Sequence, residues 1–273
     1  MLLPSGAALA AGPPDLLDVT LLAVIQGLTE FLPVSSSGHL VLLGSALGVE
    51  ESGLLLPVAL HFGTLLAVLA VYWGSILGTL RDLIGGRPRY LLLVLLGSVP
   101  AGVVGVLFED WFAQRFADPR AAAWGLLGTS AILLACDAVR QRRRQRPAGA
   151  LRPSDALAIG IAQAVAILPG VSRSGSTIGA GLALGLAPAE AARFSFLLSV
   201  VAVGGATLLE ARDTLGAEDP SAPGVGLLLL GVALSAVVGW LALRLLLAFL
   251  ARGILRWFAF YCATLGLCYL LIA

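Results

Sequence analysis

The chain has 273 residues, of which 59% are hydrophobic and only 12% charged, with a formal net charge of +1 and a mean hydropathy of +0.97. That composition excludes an ordinary soluble domain and makes the bilayer the solvent. The net charge says little about partners, but its distribution, with every basic side chain an Arg and most in short loops, is informative, and no nucleic-acid partner is expected.

In chain order, MLLPSGAALAAGPPD lacks a basic start and its short apolar run is broken by Gly and Pro, so it reads as a loose tail rather than a cleaved signal peptide. The segment from Leu16 to Leu47 is too long for one comfortable crossing and is interrupted by Pro33 and three serines. Proline cannot donate to a helix ladder, and Ser favours caps over helix interiors, which predicts a hairpin. Uncharged runs at Leu54–Trp73, Tyr90–Phe108 and Ala121–Cys136 follow. Each is a candidate span, since a crossing helix needs about 20 largely apolar residues. A second polar segment, broken at Pro169-Gly170, precedes three more runs, Phe194–Leu209, Ser221–Leu243 and Trp257–Ala273. The fold class expected is all-α and polytopic, with six full spans.

The loops set the orientation. Arg81, Arg87 and Arg89 lie in one, six arginines between Arg140 and Arg152 in a second, and Arg252 and Arg256 in a third. These are expected to be cytoplasmic. The alternate loops carry Glu50 and Glu51, then Glu109, Asp110 and Asp118, then Glu210, Asp213, Glu218 and Asp219, and read as external. The RQRRRQR run is a basic cytoplasmic loop. Cys136, Cys262 and Cys268 lack metal-ligand spacing and read as buried thiols.

The two polar segments superpose. Gln26 falls on Gln163, Ser35 on Ser172, Ser37 on Ser174, Gly38 on Gly175 and Gly48 on Gly185, each pair 137 positions apart. The chain is therefore read as a single membrane domain, residues 1–273. Repeat one covers about 15–136 and repeat two about 153–273, joined by the Arg-rich 140–152 loop. With three spans after each re-entrant hairpin, the second repeat must be inverted, which places a binding site between the repeats at helix breaks.

Around the first break stand Gln26, Glu30, Ser35, Ser36, Ser37 and His39, and around the second Ser172, Arg173, Ser174, Ser176 and Thr177. Glu30 and Arg173 each cost at least about 2.5 kcal/mol at a bilayer centre, so they are paired, functional or both. Half-helices starting near Ser36 and Ser172 would aim free N–H groups into a shared cavity. With Arg173 they make an anion site suited to phosphate. Glu30 can orient or deprotonate a nucleophile, Ser36 can be a covalent nucleophile, and His39 can be base, acid or nucleophile. Gln26 lies four residues before Glu30 and shares its helix face. His61, alone in an apolar run, reads as structural. Gly97, Gly102 and Gly105 allow close helix packing, within one chain or in a homodimer.

These motifs resemble the integral-membrane undecaprenyl-diphosphate phosphatases, also called bacitracin-resistance proteins. QGLTEFLPVSSSGH, from Gln26 to His39, looks like that family's first signature, and PGVSRSG, from Pro169 to Gly175, like its second. The resemblance implies a bacterial plasma (inner) membrane enzyme that removes the terminal phosphate of undecaprenyl diphosphate on the external face. The product is the carrier lipid of cell-wall synthesis. It implies Glu30, Ser36, His39 and Arg173 as the catalytic set. Gln26, Ser35, Ser37, Ser172, Ser174 and Thr177 are implied as substrate phosphate ligands. It further implies assistance by Mg²⁺ or Ca²⁺, held by Glu30 and the diphosphate. Many members have Glu where this chain has Gln26, so a second carboxylate is missing. The rival reading is an inverted-repeat transporter or flippase for an anionic polyprenyl lipid. What separates the two is the nucleophile and base beside the Arg, which anion binding alone does not need.

Overall fold

The computed structural model describes residues 14–47, 55–142, 144–147, 149–214, 223–253 and 255–272. Eleven helices and no strand occur among them: α1 Leu16–Phe31, α2 Ser36–Leu47, α3 Leu55–Ile84, α4 Arg89–Leu107, α5 Glu109–Phe116, α6 Pro119–Gln141, α7 Pro153–Val165, α8 Arg173–Ala183, α9 Pro188–Thr214, α10 Val225–Arg252 and α11 Leu255–Ile272. Six of these are long and apolar enough to cross a membrane: α3, α4, α6, α9 (Pro188–Leu209), α10 and α11. They cover most of each expected run, although α4 stops at Leu107, one residue short, and α10 begins at Val225 rather than at Ser221, which lies outside the described residues; the protein is an all-helical, multi-pass membrane protein.

The ends differ from the sequence reading. Arg81, Arg140 and Arg252 belong to the last turns of α3, α6 and α10, and Arg256 to the first turn of α11, rather than to loops. Helices run past their apolar stretches because an Arg at a C-terminus complements the helix dipole and extends its head to water. The stretch at Glu109 and Asp110, expected as loop, forms the short helix α5, with both acids in its first turn. Glu50, Glu51, Glu218, Asp219, Arg143, Gly48 and the tail 1–13 lie outside the described residues.

Both polar segments form hairpins. α1 starts on a capping box, in which Asp15 accepts from the backbone N–H of Leu17 and Asp18 while Asp18 accepts from the N–H of Asp15. It ends at Phe31, just before Leu32-Pro33, and the chain turns directly into α2. α7 ends at Val165 and the turn through Pro169-Gly170 delivers α8. The incoming arm α1 packs on α10 and the incoming arm α7 packs on α4. Each arm thus lies against the second span of the other half.

Small residues allow this closeness. A methyl on Gly170, whose φ is +82°, would overlap the carbonyl oxygen of Ala122 in α6, and one on Gly125 would overlap that of Pro169. The second turn is therefore pressed backbone to backbone onto α6. Gly97 is consumed within the chain, since a methyl on Gly160 of α7 would overlap its carbonyl oxygen. Gly102 has open space beside it. The main apolar core includes Phe31, Tyr72, Phe194, Phe196, Leu198 and Leu246, and takes in Ile159 and Ile178 of the second hairpin. The linker after α6 is anchored: Arg146 pairs with Asp155 at 2.8 Å, and Arg89 donates to the carbonyl of Leu151 at 3.0 Å.

Candidate active site

The two breaks meet. A Cβ on Gly38 would lie 2.9 Å from Cα of Gly170, and one on Gly175 would lie 3.2 Å from Cβ of Pro33. The hydroxyl of Ser174 donates to the carbonyl of Leu32 at 3.1 Å, tying the second tip to the first.

Each outgoing helix is capped in the same way. Ser35 Oγ accepts from Gly38 N at 3.2 Å and lies 3.2 Å from Ser37 Oγ. Ser172 Oγ accepts from Gly175 N at 3.0 Å and lies 3.2 Å from Ser174 Oγ. These are the residues that matched at the 137 offset, so the repeat seen in sequence is a repeated cap in structure. The backbones reach it differently. Ser35 adopts φ +68°, an uncommon conformation for a side-chain-bearing residue, whereas in the second hairpin Gly170 takes the left-handed position. Thr129 of α6 completes the second turn by donating to Gly170 O at 2.7 Å and accepting from Ser172 N at 2.8 Å.

Glu30 is the centre of the site. It lies on the last turn of α1 and is 8% exposed. Its Oε1 forms an ion pair with Arg173. Its Oε2 accepts from Ser36 Oγ at 2.6 Å and from Gln26 Nε2 at 3.2 Å. The i, i+4 reach expected of Gln26 is therefore realised. Two buried atoms remain without a protein partner: Arg173 Nη1, a donor, and Gln26 Oε1, an acceptor. A buried guanidinium arm left unpaired is costly unless a ligand meets it. Beside them lies a small cleft lined by Glu30, Phe31, Thr64, Leu65, Val68, Arg173, Ser199 and Val203.

Of the residues expected at the site, Glu30, Ser36, Arg173 and Gln26 form one hydrogen-bonded group, and Ser35, Ser37, Ser172 and Ser174 build the adjoining helix starts. Two stand apart. Thr177 turns its hydroxyl to Ser195 of α9, at 2.6 Å, and to the carbonyl of Arg173, at 2.8 Å. His39 has Nδ1 2.7 Å from the carbonyl of Ser35 and Nε2 2.7 Å from the hydroxyl of Tyr261, on which its ring stacks.

The sequence reading left His61 as a structural residue in an apolar run. It is not isolated: its Nε2 lies 4.0 Å from Glu30 Oε2. The available signal was its spacing from Thr64 and Val68, at i+3 and i+7, two residues of the same α3 face that line the cleft. Tyr261 and Ser195 carried no such signal.

A divalent ion held by the protein does not match this donor set. Glu30 contributes the one carboxylate, both of its oxygens already have partners, and the described residues contain no group of three or more His, Cys, Asp or Glu placed to hold a metal.

Comparison with known proteins agrees with the geometry. The family model "Bacitracin resistance protein BacA" matches residues 19–268. An undecaprenyl-diphosphatase from Desulfatibacillum aliphaticivorans is 44% identical over 92% of this chain and 96% of its own length. One from Rubrobacter xylanophilus is 43% identical over 90% and 94%. One from Halothermothrix orenii is 38% identical over 95% and 98%. With a family model covering nearly the whole chain and relatives matched from end to end, this protein belongs to the bacitracin resistance protein BacA family.

Proposed function

We propose that the protein hydrolyses undecaprenyl diphosphate to undecaprenyl phosphate and inorganic phosphate, with the reaction centred on Glu30. The observation that carries this reading is the division of labour at one carboxylate: a hydroxyl nucleophile on one oxygen and an arginine on the other. A site built only to bind an anion has no use for a serine donating to a carboxylate at 2.6 Å.

In the first step Ser36 Oγ attacks the terminal phosphorus and its proton passes to Glu30 Oε2. The bond from that phosphorus to the bridging oxygen breaks, and undecaprenyl phosphate leaves with the electron pair. Arg173 Nη1 meets the transferring phosphoryl oxygens, together with the N–H groups at the starts of α2 and α8. Ser35, Ser37, Ser172 and Ser174 hold those two helix starts against each other, and Gln26 fixes the Glu30 carboxylate by its amide N–H. His39 supports the first turn of α2 from its position on Tyr261, and Thr177 supports α8 through Ser195. Water then cleaves the phosphoserine. Mg²⁺ or Ca²⁺ enters this reading as the counter-ion of the substrate diphosphate.

The two halves are proposed to be inverted repeats in a bacterial plasma (inner) membrane, with the site open to the external face and the 140–152 loop cytoplasmic. The arginine distribution supports this orientation. The open side of Gly102 would admit a second copy in a homodimer. The assay is phosphate release from undecaprenyl diphosphate by detergent-purified protein. Glu30→Ala and Arg173→Ala should each lower the rate at least about a hundredfold. Wild-type rates from both variants would refute the assignment.

A further inference from the structure

The chain has two histidines, and the structure uses them differently. Both nitrogens of His39 are engaged, one by the Ser35 carbonyl and the other by the Tyr261 hydroxyl. His61 has one nitrogen engaged: Nδ1 lies 2.9 Å from the carbonyl of Pro57. A carbonyl only accepts, so Nδ1 carries the hydrogen and the neutral ring presents a lone pair at Nε2. That lone pair lies 4.0 Å from Glu30 Oε2. The gap is too long for a hydrogen bond, and it is the gap one water closes by donating an O–H to each side.

The proton count of the proposed reaction then singles out His61. Once Ser36 has attacked, Glu30 holds the serine proton and must return it to Oγ when the phosphoserine is cleaved. It is therefore not free to deprotonate the water. Gln26 cannot ionise, Arg173 stays protonated, and His39 has no free nitrogen.

Resting on that reading of Ser36 and Glu30, we infer that His61 Nε2 is the base for the hydrolytic water, which it holds together with Glu30. The water oxygen attacks the phosphorus of phosphoserine-36 as its proton moves to Nε2. The P–Oγ bond breaks, Oγ takes back the proton stored on Glu30, and inorganic phosphate departs. The ring, 30% exposed, then releases its proton to solvent. His61 thus supplies the second ionisable group that Gln26 does not.

The test uses full-length protein in detergent, undecaprenyl diphosphate labelled with phosphorus-32 at the terminal phosphate, and acid quenching. His61→Ala and His61→Gln should both slow phosphate release by about a hundredfold or more. Both should accumulate label on the protein, and adding Ser36→Ala should abolish it. Free imidazole should restore release by His61→Ala and drain its label. His61→Gln keeps a polar side chain of similar length, so it carries the test if the alanine variant does not fold. Recovery of wild-type release in His61→Gln would reduce His61 to a hydrogen-bonding role and overturn the inference. Slow release without label on Ser36 would also overturn it, because His61 would then act before or without the phosphoserine. Failure of the wild-type protein to release phosphate is a different result: it removes the proposed function, and this inference with it.

Discussion

Replacing Arg173 by Lys separates two jobs that the guanidinium performs at once. One arm, Nη2, pairs with Glu30 Oε1, and the other, Nη1, is buried without a protein partner. A lysine ammonium can keep the ion pair, because it needs a single donor aimed at Oε1. It cannot also supply the second arm, since it acts as one point charge rather than a fork. The unpartnered arm is assigned to the substrate, so the loss is one charge-assisted hydrogen bond to a phosphoryl oxygen. Such a bond contributes about 1.5–3 kcal/mol. With each 1.36 kcal/mol a factor of ten, kcat/KM should fall by about 10- to 150-fold in Arg173→Lys. Thermal unfolding in detergent should stay close to wild type because Glu30 keeps its partner. Arg173→Ala should behave differently, losing activity and also stability by about 3–5 kcal/mol, because it leaves an uncompensated buried carboxylate. The measurements are initial rates of phosphate release and thermal melts on the same preparations. Arg173→Lys with wild-type kcat/KM would refute the reasoning, since the second arm would then have no substrate to meet.

Three further outcomes follow from the surrounding frame. Thr129→Val preserves shape but orphans the Gly170 carbonyl and the Ser172 amide; it should lower detergent stability by about 1–3 kcal/mol, whereas Thr129→Ser should stay within experimental error. Gly170→Ala forces a left-handed side chain and an overlap with the Ala122 carbonyl. It should yield little folded protein by size-exclusion chromatography, while Gly102→Ala, with open space beside it, should yield normal amounts. A single cysteine at Gln145, in a background with Cys136, Cys262 and Cys268 replaced, should be labelled by an impermeant maleimide only from the cytoplasmic side. Labelling from outside whole cells would invert the proposed orientation.

Much of the site could be read from sequence because the information is local. The spacing of Gln26 from Glu30 fixes one helix face, and the serines at 35 and 172 declare helix starts whatever surrounds them. Pairing Glu30 with Arg173 required only that buried charges find each other. His39 was harder. Its sequence neighbours are the serine cluster, but its Nε2 is set by Tyr261, 222 residues away. Thr177 likewise turns to Ser195 because α9 packs on α8. His61 shows the converse: an apolar neighbourhood in sequence gave no hint that α1 presents a carboxylate to it. The spans were legible from hydropathy, while their ends were not, since a terminal arginine lets a helix outrun its apolar stretch. The eight-residue α5 has too few apolar positions to declare a period.

Glu30 and Arg173 also act as a latch. One carboxylate oxygen belongs to the first half of the chain through Ser36 and Gln26, and the other is claimed by the second half through Arg173. Hydrogen bonds tolerate only a few tenths of an ångström of stretch, so a small slide of one half against the other undoes the pairing and disperses the proposed nucleophile, its base and the anion clamp together. The catalyst therefore exists only while the halves are docked. Any force that loosens the seam, from bilayer thickness to a bulky lipid wedged in the cleft, would register first as lost turnover and only later as unfolding.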